Sequence, residues 1–459
     1  MSWKPFVLTI LLTSGAAATT AEAGVVDEVS AGNSTSCFRV GMNLYCSGDN
    51  TYHQIDAGPV QHYSVPIAMG RSVRDRSGHW DFEPYRVESV SVGKDHVCAI
   101  FIDHKAYCWG RNTYGQLGNN SITDSAVPSW VAMPLDITAV VSISSGNTHT
   151  CAIFVRNNRK RAACWGQNNH RQLGFGGGVA FSAVPIETSI IPMDSIYTGG
   201  EFTCALGGND PGSTPGVDTY VGRLMCWGRN DSGQLGFGIA GSDISGINVV
   251  PLPAVAPNNS SYYSRARAVA TGMDFLCVVV TGTIDYTDGP FASGDVYCVG
   301  NDRFRTTSYS QYSIGSATPT LPVTSWTRQQ AIPDSTVFVA SSAGAKHACA
   351  VTGRGDVWCW GANAYGQLGL NTAKPIPPNL TDGMPPATWR TNWGLTCQEN
   401  NGQGGYPPGT PCQRGVAVGG FHSMLITTSK ELHVWGSNWW GQLGLGDTAD
   451  RWVPTATGY

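Results

Sequence analysis

One phrase recurs along this chain, and it limits the possible folds more than any other feature. The phrase runs Gly, a few residues, His-x-Cys, a variable stretch, Cys-Trp-Gly and then x-Asn-x-x-Gly-Gln-Leu-Gly. Its second copy extends from Gly93 to Gly118, with His96, Cys98 and Cys108-Trp109-Gly110 in between. A phrase that recurs along the whole chain indicates equivalent supersecondary units that stack on one another.

Seven copies can be aligned, and two of them are degenerate. The first copy has Ser47 in place of the tryptophan and His53 in place of the first loop glycine. The fifth copy has Val299 in place of the tryptophan, and its loop after Asn301 no longer reads Gly-Gln-Leu-Gly. The other five copies retain the Trp-Gly pair and the loop with small changes.

Each copy is predicted to form four antiparallel strands. In the third copy, β-branched and alternating apolar residues predict strands at 139–144, 149–155, 161–166 and 183–186. One such sheet cannot bury its faces alone, so neighbouring copies must pack together. Abundant glycine (57 of 459 residues) and sparse charge (13%) also favour an all-β chain with many turns. The sequence therefore predicts a seven-bladed β-propeller of four-stranded antiparallel blades.

The copies resemble the repeats of the regulator of chromosome condensation family, whose members are seven-bladed propellers. The resemblance covers nearly all of the chain after residue 23, and it is closest to the cysteine-paired versions found in exported proteins. Founding members of the family are exchange factors for the small GTPase Ran. The resemblance thus implies a regulator similar to a guanine-nucleotide exchange factor as one alternative function.

The first residues are predicted to be a signal peptide. Lys4 supplies the positive start, residues 6–12 form a short apolar stretch, and Ala21-Glu22-Ala23 offers small residues for cleavage. We therefore expect a signal peptide at 1–23 and the propeller at 24–459. No later segment is long and apolar enough to span a membrane, so the protein is expected to be secreted and extracellular. We also expect it to be a monomer.

The charge of the chain argues against nucleic acid as a partner. Its formal net charge is −4, which provides no basic surface to neutralise phosphates. The basic tail that founding members use on chromatin is absent, which also weighs against the exchange-factor alternative.

Fourteen cysteines are expected to be oxidised in an exported chain. Six copies carry one cysteine five residues after a turn glycine and another before the Trp-Gly position, on neighbouring strands where opposed residues can reach disulfide distance. The predicted pairs are Cys37–Cys46, Cys98–Cys108, Cys151–Cys164, Cys204–Cys226, Cys277–Cys298 and Cys349–Cys359. The seventh copy has Met424 and Val434 at these positions, so both cysteines are lost together. Cys397 and Cys412 are predicted to staple an insertion at about 375–413.

Zinc binding by the His-x-Cys pairs is the competing interpretation. Structural zinc sites favour closely spaced cysteine pairs, which this chain lacks. The repeated histidines (His96, His149, His347 and His422) are instead predicted to be buried turn residues hydrogen-bonded to backbone. We predict no metal site.

The sequence contains no recognisable catalytic or cofactor motif. Gly-x-Ser-x-Gly and His-Glu-x-x-His are absent. The Gly-x-Gly-x-x-Gly match at 236–241 begins in a repeat loop rather than opening a helix. The fifth copy contains an acidic cluster, which comprises Asp274, Asp285, Asp288 and Asp295. We predict that this cluster is a solvated hairpin tip, and the alternative is calcium binding or acid–base chemistry. We predict no catalytic residues, no cofactor and no enzyme activity.

Six asparagines lie in glycosylation sequons, which matter only in a eukaryotic source. They are Asn33, Asn119, Asn230, Asn258, Asn259 and Asn379. Asn119 and Asn230 lie in or beside the repeat loop and are expected to be exposed.

These observations favour a secreted, non-catalytic interaction scaffold, because propellers present large surfaces built from loops. The ligand is expected to be a protein, with inhibition of an enzyme as one such role, or a glycan. The binding face is predicted on the rim that carries the tips at 207–222 and 281–294 and the stapled insertion, with Trp389, Trp393 and Tyr406 as contact groups. An extracellular hydrolase is the remaining alternative.

Overall fold

The computed structural model describes residues 25–74, 80–175, 178–189, 191–208, 221–253, 263–283, 294–301, 323–329, 336–340, 342, 344–352, 357–369, 371, 387–389, 415–427 and 429–459. No helix in these ranges is long and apolar enough to cross a membrane.

The described residues form seven four-stranded antiparallel sheets and one two-stranded sheet. The first sheet comprises β1 (Val26–Ala31), β2 (Thr35–Val40), β3 (Asn43–Asp49) and β4 (His62–Ala68). The two-stranded sheet comprises β5 (Gly70–Arg74) and β6 (Trp80–Pro84). The second sheet comprises β7 (Val87–Val92), β8 (His96–Phe101), β9 (Ala106–Gly110) and β10 (Ser125–Trp130). The third comprises β11 (Ala139–Ser145), β12 (His149–Arg156), β13 (Arg159–Gln167) and β14 (Phe181–Ser189).

The remaining four sheets repeat this order. The fourth comprises β15 (Met193–Thr198), β16 (Phe202–Gly207), β17 (Leu224–Gly228) and β18 (Ile244–Val249). The fifth comprises β19 (Tyr263–Thr271), β20 (Phe275–Thr283), β21 (Asp295–Gly300) and β22 (Val323–Arg328). The sixth comprises β23 (Thr336–Ala340), β24 (His347–Thr352), β25 (Val357–Gly361) and β26 (Ala387–Trp389). The seventh comprises β27 (Val416–Val418), β28 (His422–Ile426), β29 (Leu432–Gly436) and β30 (Arg451–Ala456).

The strands predicted in the third copy are confirmed, and each is one to five residues longer than predicted. The Gly-Gln-Leu-Gly loop after the third strand combines left-handed glycines with a buried leucine. In the second sheet, Gly115 and Gly118 have φ angles of 75° and 65°, and Leu117 between them is fully buried. Glycine occupies these positions because other residues pay a steric cost in the left-handed region.

Neighbouring sheets pack through the repeat tryptophan and leucine. Leu117 of the second sheet and Trp165 of the third lie in one buried cluster, and the Trp165 indole Nε1 donates to the Gln116 carbonyl oxygen at 2.9 Å. The same bond joins Trp227 to Gln172 at 2.9 Å. The last sheet contacts the first, where the Gly420 amide donates to the Gly32 carbonyl at 2.9 Å. The chain is therefore an all-β propeller with four-stranded antiparallel blades.

Disulfides join the two middle strands in six of the seven sheets. The bonded pairs are Cys37–Cys46, Cys98–Cys108, Cys151–Cys164, Cys204–Cys226, Cys277–Cys298 and Cys349–Cys359, which are the six pairs that the repeat predicts. In the seventh sheet, Met424 faces Val434 at the same register. Cys397 and Cys412 lie outside the described residues.

The repeated histidines are fully buried, as predicted, but the interpretation of their hydrogen bonding was wrong. Each histidine begins a strand, and its Nε2 contacts a side-chain hydroxyl of the next sheet rather than backbone. His149 Nε2 lies 3.0 Å from Thr203 Oγ1, and Thr203 Oγ1 donates to the Gln172 carbonyl at 2.9 Å. Because the hydroxyl proton is used on that carbonyl, the imidazole must donate its Nε2 proton to the hydroxyl.

This histidine–hydroxyl pair is kept or lost as a unit between sheets. The pairs present are His96–Thr150, His149–Thr203, His347–Ser423 and His422–Ser36. Where Phe202 or Phe275 replaces the histidine, the hydroxyl position of the next sheet holds Leu276 or Ala348. An apolar pair thus replaces a polar pair without leaving a buried donor unsatisfied.

Candidate functional site

One edge of the propeller carries both the hairpin tips and the connections between sheets. A tip joins the second strand of a sheet to the third, and a connection joins the fourth strand to the next sheet. We call this edge the hairpin rim and define it by the described tips at 41–42, 102–105, 157–158 and 429–431 and the described parts of two connections, at 69–74 with 80–86 and at 131–138.

Backbone hydrogen bonds hold several of the tips against the following sheet. The Val87 amide donates to the Met42 carbonyl at 2.9 Å, and the Val140 amide donates to the His104 carbonyl at 2.8 Å. The same bond joins the Ala266 amide to the Gly222 carbonyl at 2.9 Å. These bonds fix the positions of the bonded tips relative to the neighbouring sheets.

The segments predicted to form the binding face lie largely outside the described residues. Only the ends of the tips at 207–222 and 281–294 are described. Trp393 and Tyr406 are not among the described residues, and for Trp389 only the backbone is. Trp389 belongs to β26 and pairs with Val357 of β25, so the segment at 375–413 contains the fourth strand of the sixth sheet.

A cleft of about 340 Å³ opens on the described part of the hairpin rim, between the tip of the second sheet and its connection to the third. Asp103, His104 and Lys105 form one wall. Trp130, Met133, Pro134, Leu135 and Ile137 contribute to the other. The cleft is thus lined by apolar side chains with a charged edge, a composition typical of binding sites.

Large apolar side chains are exposed in and around this cleft. Leu135 is 93% exposed and Trp130 is 47% exposed. Ile102, on the adjoining tip, is 43% exposed. Single exposed apolar residues are ordinary, whereas several on one surface mark an interaction site.

Polar side chains at the cleft edge are paired with side chains of the adjoining strands. His104 Nδ1 lies 2.9 Å from Glu88 Oε2, and the Tyr107 hydroxyl donates to Asp103 Oδ2 at 3.2 Å. Burial, together with the neighbouring Asp103 carboxylate, raises the pKa of Tyr107. These pairs fix the shape and charge of the cleft edge, and they supply a hydrogen-bonding rim for a ligand.

The acidic cluster predicted in the fifth copy is separated in the structure. Asp274 precedes β20, whereas Asp295 opposes Val280 near the far end of the β20–β21 pair. Asp285 and Asp288 lie outside the described residues. Within the described ranges, no group of three potential metal ligands occurs.

Family models match three parts of the chain. The model described as "Regulator of chromosome condensation (RCC1) repeat" matches residues 103–153, 354–381 and 431–457. A second model of the same description matches residues 87–116 and 338–367. The chain therefore contains RCC1 repeats.

Relatives and solved structures agree with this assignment. The chain is 24% identical over 407 residues to the ultraviolet-B receptor UVR8 of Arabidopsis thaliana, covering 81% of each protein. Its structure resembles that of human WBSCR16, with a TM-score of 0.61, 20% identity and 94% coverage of both chains. It also resembles Prp20p from Saccharomyces cerevisiae, a structure described with its binding to Gsp1p and histones. That comparison gives a TM-score of 0.61 and 18% identity, with coverage of 95% of this chain and 87% of that one. At these identities the structural matches show the fold alone.

The two-stranded sheet is an addition to the RCC1 repeat that sequence reasoning missed. β5 and β6 form a hairpin in the connection between the first and second sheets, and it places Phe82, which is 47% exposed, on the hairpin rim. The signal was the long spacing between the loop of the first copy and Gly93, which begins the second.

The expected exposure of the sequon residue Asn230 was wrong. Asn230 is the asparagine of the repeat phrase in the fourth copy, and its side chain is fully buried. Its Nδ2 donates to the Ile239 carbonyl at 3.0 Å, and its Oδ1 accepts from the Leu235 amide at 3.1 Å. The nitrogen that a glycan would modify is therefore used inside the loop. Asn33 and Asn119 are partly exposed, and Asn258, Asn259 and Asn379 lie outside the described residues.

Proposed function

We propose that this RCC1-repeat protein is an exported, non-catalytic scaffold that binds a partner protein through the hairpin rim. The observation that carries this proposal is the cleft beside Trp130 and Leu135, because it combines exposed apolar groups with a paired charged edge. Protein interfaces have this arrangement of apolar centre and polar border. An enzyme inhibited by occupation of its own active site is one such partner.

Export is supported by two features of the chain. Six disulfides occur within the sheets, and such bonds persist in oxidising compartments. Residues 1–23 have the composition of a signal peptide. We expect the secreted protein to begin at Gly24, which N-terminal sequencing of the exported chain measures. An exported protein that retains residues 1–23 contradicts this cleavage site.

We also propose that the seven four-stranded sheets are seven blades of one closed ring. Contact between the seventh and first sheets supports this arrangement. An experimental structure that places any of the seven sheets outside the ring contradicts it.

Two matched substitutions test the binding face. Leu135→Asp places a charge in the cleft, and Ile122→Asp makes the same change at a residue that is 55% exposed on the opposite edge of the same sheet. Proteins captured from the surrounding medium by the immobilised wild type are identified by mass spectrometry and then titrated against each variant. We expect Leu135→Asp to abolish capture and Ile122→Asp to leave it intact. Equal capture by both variants would place the binding face elsewhere.

A second variant tests the predicted staple and its aromatic groups. Deletion of 391–413 with a short Gly-Ser linker removes Trp393, Tyr406 and the proposed Cys397–Cys412 bond but retains β26. We expect the deletion variant to fold and to bind the partner more weakly than the wild type does. Unchanged affinity would limit the binding face to the described cleft.

The alternatives give different results in direct assays. A glycan ligand is detected by binding to an immobilised glycan panel, and a hydrolase by turnover of broad substrate panels. An exchange function is detected as faster release of a fluorescent nucleotide from a small GTPase. We expect no turnover and no accelerated release, and either one would overturn the non-catalytic assignment.

A further inference from the structure

The edge opposite the hairpin rim carries a series of equivalent loop residues. We call this edge the loop rim; it consists of the loops that join first to second strands and third to fourth strands. In six sheets, the residue two positions before the loop glutamine donates its backbone N–H to the glutamine Oε1 at 2.9–3.0 Å. These residues are Tyr52, Tyr114, His170, Ser232, Tyr365 and Trp440.

One member of this series already binds a guanidinium from the next sheet. The Arg111 guanidinium carbon lies 4.7 Å from the centre of the Tyr52 ring. Its Nη1 also donates to Asp95 Oδ2 at 3.0 Å. An aromatic face and a carboxylate together hold the cation, which is the arrangement that favours a planar guanidinium.

The junction between the seventh and first sheets has the same backbone and the opposite charge. Trp440 stands in the position of Tyr52, and Asp49 stands in the position of Arg111, directly after Gly48. A Cβ added at Gly48 would lie 3.1 Å from the Gln442 Cβ, and one added at Gly110 would lie 3.3 Å from the Gln54 Cβ. The two junctions therefore bring the equivalent loops equally close.

The tryptophan side chains of this junction are exposed, and Trp439 packs against a neighbouring aromatic side chain. Trp439 is 61% exposed and Trp440 is 38% exposed. Tyr365 of the sixth sheet packs edge-on against Trp439, with ring centres 5.1 Å apart, and against Phe421 at 5.4 Å. These contacts hold the Trp439 indole in place beside Trp440.

The acidic side adjoins the same tryptophans. The His62 ring lies 6.4 Å from the Trp440 ring, and His62 is the cross-strand partner of Asp49. The Asp49 carboxylate is half-buried and accepts from the Thr51 amide at 2.9 Å. The junction thus offers an indole ring and, on the strand paired with His62, a fixed carboxylate, without the arginine that the equivalent junction contains.

We propose that this junction binds an arginine side chain of a partner protein. The guanidinium stacks on Trp440 and pairs with Asp49, as Arg111 stacks on Tyr52 and pairs with Asp95, although the carboxylate here comes from the position that Arg111 holds at the other junction. Arginine fits better than a compact ammonium because its planar group can stack and hydrogen-bond at once. This site lies on the edge opposite the hairpin rim, so it does not depend on the function proposed there.

Two peptides that differ only in charge test the proposal. The probes are acetyl-Gly-Arg-Gly-Arg-Gly-amide and its citrulline counterpart, titrated into the full-length protein at neutral pH and low salt while the indole NMR signals are followed. We expect the arginine peptide to shift the Trp439 and Trp440 signals saturably. We expect citrulline to bind about fivefold more weakly or worse, because it lacks the cation. Equal affinity for the two peptides overturns the proposal.

Variants of the site distinguish specific binding of the arginine peptide from nonspecific electrostatic attraction to the protein surface. Trp440→Ala and Asp49→Asn are each expected to weaken arginine-peptide binding by about fivefold or more, whereas Trp130→Ala on the hairpin rim should not change it. Asp49→Arg should occupy the site from within and abolish peptide binding while the protein stays folded, since Arg111 does the same beside Tyr52. Unchanged binding by Trp440→Ala, or retained binding by Asp49→Arg, overturns the proposal.

Discussion

The imidazole Nε2 of His422 lies 2.7 Å from the hydroxyl oxygen of Ser36, although 386 residues separate the two in sequence. His422 begins the second strand of the seventh sheet, and Ser36 lies in the second strand of the first. Both side chains are buried. This contact joins the end of the chain to its beginning through the same histidine–hydroxyl pair that links neighbouring sheets elsewhere.

Removing the Ser36 hydroxyl should destabilise the protein, whereas replacing it with another hydroxyl should not. Ser36→Ala leaves the buried His422 Nε2 without its hydrogen-bond partner, which costs about 1–3 kcal/mol. Ser36→Thr keeps the oxygen, as Thr150 and Thr203 do at the equivalent positions. The free energy of unfolding in urea measures both changes. Equal stability of the Ala and Thr variants would show that this bond contributes nothing.

Four buried histidines should make the protein less stable as the pH falls below about 6.5. Burial lowers the pKa of His96, His149, His347 and His422 from 6.5 to about 3. The unfolded chain therefore binds protons from about pH 6.5 downward, while the folded chain does not until near pH 3. Their contribution is fully present above pH 6.5 and is lost progressively as the pH falls, by about 1.4 kcal/mol per pH unit for each histidine.

An apolar replacement isolates one histidine from the carboxylates that also titrate in acid. The double variant His149→Phe with Thr203→Leu reproduces the pair Phe202 and Leu276 found at the next junction. We expect its unfolding free energy to fall less steeply between about pH 6.5 and 5, by about 1.4 kcal/mol per unit. Urea unfolding at several pH values measures the slope, and an unchanged slope would mean that His149 takes up its proton in the folded protein.

The disulfide of the sixth sheet should be replaceable by the apolar pair of the seventh. Met424 faces Val434 where the other sheets carry a disulfide, so Cys349→Met with Cys359→Val should fold with the same topology. Loss of the cross-link, whose sequence separation is 10, is expected to cost about 3 kcal/mol. Urea unfolding with mass mapping of the other disulfides measures the effect. Rearranged disulfides in the folded variant would contradict the assignment of one bond to each sheet.

Local repetition explains why much of this fold could be predicted. The cysteine pairs and the left-handed loop glycines recur at fixed offsets, so seven imperfect copies reinforce one another. The binding surfaces do not recur: adjacent tryptophans (Trp439 and Trp440) occur in one loop, where other copies have a small or polar residue followed by Tyr, His or Ser, and the β5–β6 hairpin is an addition to one connection. The sequence does not show that such residues form a surface until the packing of the neighbouring sheets is known.

The histidine pairs and the fifth sheet show a second limit. His149 and Thr203 are 54 residues apart, and their joint presence has meaning only when adjacent copies are compared.

In the fifth sheet, Val299 replaces the repeat tryptophan, but Trp326 of the fourth strand fills part of that space. Its Nε1 donates to the Pro251 carbonyl at 2.9 Å, and Gly236 packs closely against its ring. Compensation from a different strand cannot be read from the repeat phrase.

The last prediction concerns a loop position where the seven copies do not all use glycine. Gly115 has a φ angle of 75°, and a Cβ added there would lie 2.5 Å from the Ala183 Cα in the next sheet. Gly115→Ala should therefore cost about 2–4 kcal/mol, from left-handed strain and from displacement of the neighbouring strand. Arg171 occupies the same position in the third copy with a φ angle of 65°.

Arg171→Ala provides the matched control, because it keeps a left-handed residue with a Cβ and removes only an exposed side chain. We expect it to change the unfolding free energy by less than about 1 kcal/mol. Arg171→Gly should stabilise the protein slightly, since relief of strain outweighs the greater freedom of glycine in the unfolded chain. Urea midpoints of the three variants give the order directly. If Gly115→Ala were as stable as Arg171→Ala, contact with Ala183 would not be what requires glycine at position 115.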